Sequence, residues 1–276
     1  MHIDSKIPLY GFNNLTKSLS FSLYRVHYLP LSKPLDKPLD LSLDTTLNRP
    51  SSQTVESYNA YINETYSSER LEVLLTKVCH AIGGNVLNIA SQDYTPQGAS
   101  VTLMISEEAK PESLVAHLDK SHLCIHTYPE ETPQNGIAIF RADIELSTCG
   151  VISPLKVLDY VIEAFSADVI DIDYRVRGMT RDLHGAKHFS DRDISQISDH
   201  LTKYTLDTYR VKDSVMATHN LFHCKLARQS IDLTQHIFNV GSDLGSYLDT
   251  HAISSQDERQ IKAQLTTELN ELFIGS

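Results

Sequence analysis

Five short apolar segments, 86–90, 101–105, 114–117, 123–128 and 137–146, follow one another in this chain. Turn-rich stretches such as Thr95-Pro96-Gln97-Gly98 and Pro133-Gln134-Asn135-Gly136 divide them. Connections this short cannot hold the crossover that parallel neighbours need, so they predict antiparallel strands rather than a doubly wound sheet. The fourth run alternates clearly. His122, Cys124, His126 and Tyr128 fall on one side, and Leu123, Ile125 and Thr127 on the other.

The flanks add helices. After a turn-like Gly11-Phe12-Asn13-Asn14, residues Leu19, Phe21, Leu23 and Val26 suggest a first strand. KPLDKPLD, within 29–53, is a short tandem repeat whose prolines forbid regular pairing, and it reads as a surface insertion or linker. Tyr58, Ile62, Leu71, Leu74, Leu75 and Val78 suit one or two helices, stopped by Gly83-Gly84. Ser153 looks like an N-cap with Pro154 at the first helical position, ahead of a stripe of Leu155, Leu158, Ile162 and Phe165. A strand at 169–176 carries Asp171 and Asp173, and the remainder reads as mostly helical, ending in a charged helix over 256–273. The expectation is one α+β domain over residues 1–276, an α/β sandwich whose mainly antiparallel sheet is covered by helices.

Composition narrows the function. The net charge of −11 argues against a nucleic-acid binder, because phosphate contacts need clustered Lys and Arg. A solvated acidic surface is its commonest meaning, and a cationic ligand is mildly favoured. No apolar run reaches the roughly 18 residues of a membrane span. The N-terminus has neither a basic n-region nor an apolar h-region. Four cysteines without a CxxC pair suggest reduced thiols, and the expected location is cytoplasmic.

Three chemistries compete. His122 and His126 are four residues apart, as are His219 and His223, which on a helix would offer two imidazoles to a metal. Around His122, however, the alternation indicates a strand, which spreads the pair over about 13 Å. No HExxH motif is present, so no metal ligands are assigned. A hydrolase lacks its GxSxG elbow, and nothing in Ser147-Thr148-Cys149-Gly150 marks an activated nucleophile. An ordinary thiol is mostly protonated at neutral pH, which suits Cys149 to giving up a proton; a small buried hydrophobe is the competing reading. The third chemistry is in the backbone. A serine hydroxyl can attack the preceding carbonyl, and elimination from the resulting ester leaves dehydroalanine, which hydrolyses to a pyruvoyl group. Intramolecular placement supplies effective molarities of up to about 10⁵–10⁸ M. Lys120-Ser121 permits this without being singled out by spacing.

GFNNLTKSLSF (11–21), NVLNIASQDYTPQGASVT (85–102), VAHLDKSHLCIHTYPE (115–130), FRADIELSTCGVISPLK (140–156) and DIDYRVRGMTRD (171–182) strongly resemble the S-adenosylmethionine decarboxylase family, in its longer bacterial proenzyme form. The proline-rich 29–53 stretch departs from it as an insertion. The resemblance implies self-cleavage between Lys120 and Ser121 into a β chain of 1–120 and an α chain of 121–276. Ser121 becomes the pyruvoyl cofactor, which forms a Schiff base with the substrate amine. His126 matches the processing base, Cys149 the catalytic proton donor and Ser100 a serine that assists processing. Tyr94, Leu123, Tyr128 and Glu130 fall at substrate contacts for S-adenosylmethionine, the two tyrosines suited to stack the adenine and Glu130 to bond the ribose. The implied product is the aminopropyl donor for spermidine synthesis. The family also implies homo-oligomers of αβ units and an associated divalent ion such as magnesium, for which the sequence shows no ligand cluster. Rival readings are a pyruvoyl decarboxylase for another amino acid and a processing-dead homologue that binds a nucleoside or regulates a partner. One geometric condition remains. Strand parity puts Ser121 and His126 on opposite faces, so either the strand begins after Ser121, with a turn at 120–122, or a bend brings His126 round.

Overall fold

The computed structural model describes residues 13–31, 49–106, 121–149, 152–240, 244–245, 248 and 253–275. The expected strand at 114–117, the KPLDKPLD repeat and Lys120 lie outside them. The chain opens with strand β1 (Thr16–Tyr28), helices α1 (Ser52–Thr65) and α2 (Ser68–Ile82), and strands β2 (Asn85–Asp93), β3 (Ala99–Ser106), β4 (His122–Pro129) and β5 (Ile137–Cys149). Helix α3 (Leu158–Phe165) and strand β6 (Val169–Arg177) come next, then a small hairpin of β7 (Thr180–Arg181) and β8 (Lys187–His188). Helix α4 (Lys203–Thr208), strands β9 (Tyr209–Met216) and β10 (Leu221–Arg228), the short α5 (Leu233–His236) and the long α6 (Ser255–Ile274) complete it.

Eight strands form one sheet in the order β2-β3-β4-β5-β1-β6-β10-β9. Every neighbouring pair is antiparallel, as the short connections predict. The order has one long-range insertion. β1 sits between β5 and β6, paired with β5 along all of Thr16–Tyr28 and with β6 from Thr16 to Tyr24.

Period-two alternation gives the sheet two unlike faces. The inner face carries Leu19, Phe21, Leu23, Leu103, Leu123, Ile125, Ile144, Leu146 and Ile172, all buried in one core with helices α1 to α3. Helix α2 brings Leu71, Leu75, Val78 and Ile82 to it at helical spacing. It starts on a Ser67 cap and stops at Gly83, whose φ of 90° is a left-handed conformation that favours glycine. The outer face is apolar only at one end. There Val26, Tyr28, Ile137, Val169 and Ala227 meet Ile261, Leu265 and Leu269 of α6. Among the described residues no helix is long and apolar enough to cross a membrane.

Two sequence expectations change. Ser153 precedes a 3₁₀ turn (Pro154–Val157), but its side chain makes no capping hydrogen bond, and α3 begins only at Leu158. The proline starts a tighter turn, which leaves the Ser153 hydroxyl buried and unpartnered. The C-terminal region is not mostly helical, because β9 and β10 extend the sheet. Phe222, Cys224 and Leu226 are buried while His223 and Lys225 face the other way, a strand period that the helical spacing of His219 and His223 obscured.

Helix α6 is held by a reciprocal Ser254–Asp257 capping box at its start. Its Glu268 stands beside Glu271 and Glu130, and burial first, then these two charges, raises its pKa. The folded state therefore favours the neutral carboxyl. The stabilisation this gives is complete at acid pH, below the ordinary carboxylate value, and disappears as pH rises through the raised folded value. Glu268→Gln, neutral at every pH, is expected to raise Tm by about 1–2 °C near pH 7.5 and by much less near pH 4.5, as read by thermal melts beside the wild type.

Candidate active site

Ser121 is the residue immediately before β4 and is only 5% exposed. Its carbonyl oxygen accepts the Ile105 N–H of β3 at 3.2 Å, so the ladder runs one residue past the Met104–His122 pair. The assigned strand starts at His122, but this ladder contact keeps Ser121 in its register, so Ser121 and His126 stay on opposite faces. On its other side β4 sets His122 opposite Ser147 of β5. One further step of that register puts Ser121 opposite Thr148, with Cys149 on the diagonal, about 6 Å away between Cα atoms from strand spacing and rise. Cys149 is half-buried, ends β5 and stands opposite Thr16. Strand order brings Ser121 and Cys149 together across 28 residues of sequence.

A second group assembles further along β4, on its outer face. His126 is exposed and pairs in register with Ser100 of β3. Ser100 Oγ and the Tyr94 hydroxyl share a hydrogen bond of 2.8 Å. Tyr94 is placed by a turn in which its N–H donates to the Gly98 carbonyl at 2.8 Å. That turn needs glycine: Gly98 has φ +98°, and a Cβ there would stand 3.1 Å from the Thr127 carbonyl oxygen. Tyr128 follows His126 on the same face, and its ring carries the Arg141 guanidinium at 4.4 Å. Arg141 pairs with Asp143 at 3.1 Å, and Asp143 stands opposite His126.

The two groups do not meet within one chain. His126 lies five residues beyond Ser121, about 16 Å along the strand, and faces the opposite side. Glu130 is further still, about 30 Å along the strand from Ser121. Its carboxylate accepts the Ile139 N–H at 3.0 Å, in a cleft of about 500 Å³ against α6. Burial raises its pKa there. Leu123 is fully buried in the core, so its side chain has no surface to offer a ligand in this arrangement.

Neither histidine pair forms a metal site. His122 and His126 are spread along β4, while His219 ends a 3₁₀ turn and His223 of β10 bonds Asp173 at 2.9 Å. The described residues contain no group of three or more His, Cys, Asp or Glu able to hold a metal. They supply no donor set for a divalent ion, and no chemical step below uses one.

Sequence reasoning missed a buried polar cluster on the inner face beside Thr148. Lys17 Nζ and Asp191 Oδ2 are 2.9 Å apart, with both side chains fully buried. Lys17 stands opposite Thr148, whose hydroxyl has no exposure and no hydrogen-bond partner. The Tyr174 hydroxyl, raised in pKa by burial and then by Asp191, is likewise unpartnered. One signal was available: Lys17 falls in phase with Leu15, Leu19, Phe21 and Leu23, on the face that the core claims.

Comparison with known proteins gives the chain's kinship. A family profile described as S-adenosylmethionine decarboxylase matches residues 52–178. A protein of Pseudoalteromonas translucida named S-adenosylmethionine decarboxylase proenzyme is 43% identical over 98% of this chain and 95% of its own length. A protein of the same name from Photorhabdus laumondii is 42% identical over 98% of this chain and 97% of its own. The solved adenosylmethionine decarboxylase of Aquifex aeolicus is 16% identical over 67% of this chain and 96% of its own, with a TM-score of 0.34, too loose a superposition to bear on the architecture. Near-complete coverage in both directions at more than two-fifths identity leaves no ambiguity of kinship: this chain belongs to the S-adenosylmethionine decarboxylase family.

Proposed function

We propose that the protein is a self-cleaving S-adenosylmethionine decarboxylase. Ser121 becomes its pyruvoyl group, and the product serves as the aminopropyl donor for spermidine synthesis. The observation that carries this reading is the register that sets Ser121 at the head of β4 with the backbone of Cys149 one step along β5, although their side chains leave opposite faces of the sheet. The relatives' shared name, a decarboxylase proenzyme, supports it.

The maturation chemistry balances with one water. The Ser121 hydroxyl attacks the carbonyl carbon of residue 120, forming an ester and freeing the α-amine. Removal of the Cα proton expels the carboxylate of 1–120 and leaves dehydroalanine at the head of 121–276. Water then replaces the nitrogen, which departs as ammonia, and a pyruvoyl group remains. The site fits a small carbonyl there, since the buried Thr148 hydroxyl beside residue 121 has an unused hydrogen bond. When formed, the group supplies an electron-withdrawing carbonyl that lets carbon dioxide leave an attached amino acid. The chain's own part is proton handling: the Cys149 thiol protonates the carbon that has lost its carboxylate.

His126 is the base for the Cα proton in this reading, delivered by a second copy of the chain. In its own chain it is about 16 Å away and on the wrong face. Among the described residues α6 covers the outer face at the end near Val26 and Tyr28, while His126 and Tyr128 are exposed on it. The second copy must bring its His126, Ser100 and Tyr94 group to the end of β4 that bears residue 121, since residue 121 is only 5% exposed and on the inner side of its own strand. This also gives the expected homo-oligomer of αβ units a chemical reason.

Intact-mass measurement of purified protein is expected to show two chains, 1–120 and 121–276, the second blocked at its N-terminus. A single unbroken chain would sink the reading and favour a processing-dead homologue. Ser121→Ala is expected to stay whole. Cys149→Ala is expected to cleave normally yet release labelled carbon dioxide about 10²–10⁴-fold more slowly, and wild-type turnover would move the proton donor elsewhere. Neither Ser121→Ala nor His126→Ala is expected to mature alone. When the two are co-expressed, the His126→Ala chain should cleave, and its persistence intact in the mixed oligomer would refute delivery across copies.

A further inference from the structure

We propose that the cleft between α6 and the β9–β10 pair is a binding site for a small molecule bearing a phosphate or diphosphate group. The inference goes beyond the decarboxylation chemistry and does not depend on self-cleavage.

The first observation is the sign of the charge. The chain carries −11 overall, with 35 acidic against 24 basic residues. The cleft reverses that balance, since Arg210, Arg228 and Lys262 line it and no carboxylate does. Arg228 is already paired with the buried Asp168, through Nε at 3.2 Å. No ion pair among the described residues engages Arg210 or Lys262. Glu258 stands one turn ahead of Lys262 on α6, the favoured spacing and order for a pair, yet none forms. The dipole of α6 accounts for a cation beside its last turn, where Arg210 lies, but not for Lys262 in its first half. Two uncompensated cations match a phosphate, which carries about −1.5 to −2 at pH 7, better than a single carboxylate.

The second observation is preorganisation. Arg210 Nη2 donates to Asn270 Oδ1 at 3.0 Å, and its guanidinium carbon lies 4.3 Å from the centre of the Phe273 ring. The planar fork that suits phosphate oxygens is thus held in place before a ligand arrives. With its oxygen engaged, Asn270 keeps its amide N–H groups as further donors.

The third is size and place. The cleft has a volume of about 590 Å³, within the roughly 300–1,000 Å³ of small-molecule sites. Ala227, Ile231 and Leu269 give it an apolar wall for the carbon skeleton that carries the phosphate. Ala227 stands in register with Val169, and Val169 with Tyr24. Tyr24 is about 26 Å along β1 from Thr16, which faces Cys149. The sulfonium substrate of the decarboxylase is itself a cation, which Arg210 and Lys262 repel, so the cleft is not a second seat for it.

The test is isothermal titration of inorganic pyrophosphate into the purified protein, with ionic strength held constant by sodium chloride. Saturable binding at one site per chain is expected. Lys262→Gln is expected to weaken it about tenfold and Lys262→Glu to abolish it. Arg210→Lys, which keeps the charge but loses the planar fork, is expected to weaken it as well. Lys262 is exposed and makes no ion pair, so Lys262→Gln is expected to melt at the wild-type Tm, which separates lost binding from lost folding. A wild-type protein without saturable binding overturns the proposal. So does binding that Lys262→Glu retains at wild-type strength, which would put the anion elsewhere on the molecule.

Discussion

Strand β1 is threaded between β5 and β6, and the rest of the molecule is organised around that placement. It is first in sequence, yet it pairs with β5 along all of Thr16–Tyr28 and with β6 along Thr16–Tyr24. These contacts join the part of the chain before residue 120 to the part after it. A second seam runs between β3 and β4. A backbone break ahead of Ser121 consequently leaves two interleaved chains rather than two lobes: β2, β3 and β1 come from one, and β4, β5, β6, β10 and β9 from the other. The sheet would therefore hold the two pieces together across such a break.

The end of the sheet far from Ser121 is fastened by charge. Asp168, at the head of β6, has no exposure. It accepts hydrogen bonds from Val26 N–H at 2.8 Å, Arg228 Nε at 3.2 Å and His236 Nε2 at 3.2 Å, and lies 3.5 Å from Arg25. Burial alone would raise its pKa, but the His236 hydrogen bond and the Arg25 charge hold it below the ordinary carboxylate value. One carboxylate thereby ties β1, β6, β10 and α5, and the cations that surround it keep the buried charge compensated. At the catalytic end the polar groups are used differently. Lys17 and Asp191 are paired, while the hydroxyls of Thr148, Ser153 and Tyr174 have no partner.

Much of this architecture was legible in the residues. Alternation at 122–128 gave β4 its strand character and its two faces, because a period of two leaves little choice of conformation. Gly83 marked the end of α2, and Leu158, Ile162 and Phe165 marked the buried side of α3, all confirmed in the core. The misreadings have physical causes. Strand β10 was hidden because two histidines four apart suit a helix as an isolated pair, and only Phe222, Cys224 and Leu226 together show the strand period. Ser153 followed the usual capping pattern, yet Pro154 opened a 3₁₀ turn that left its hydroxyl unused. Lys17 carried a signal in its phase, but its partner Asp191 lies 174 residues away, beyond any local pattern.

The sequence by itself determined the family, the strand character of 122–128 and the incompatibility of Ser121 with His126 on one regular strand. Those are local properties, set by motif and by the period of the backbone. Which strands neighbour one another was decided only in three dimensions. That order puts Cys149 beside Ser121, sets Thr148 against both Ser121 and Lys17, and leaves His126 with Ser100 and Tyr94 about 16 Å from the bond it is expected to help break. The reason is that non-local pairing follows from burying one apolar face of eight strands at once, a condition that no single segment contains.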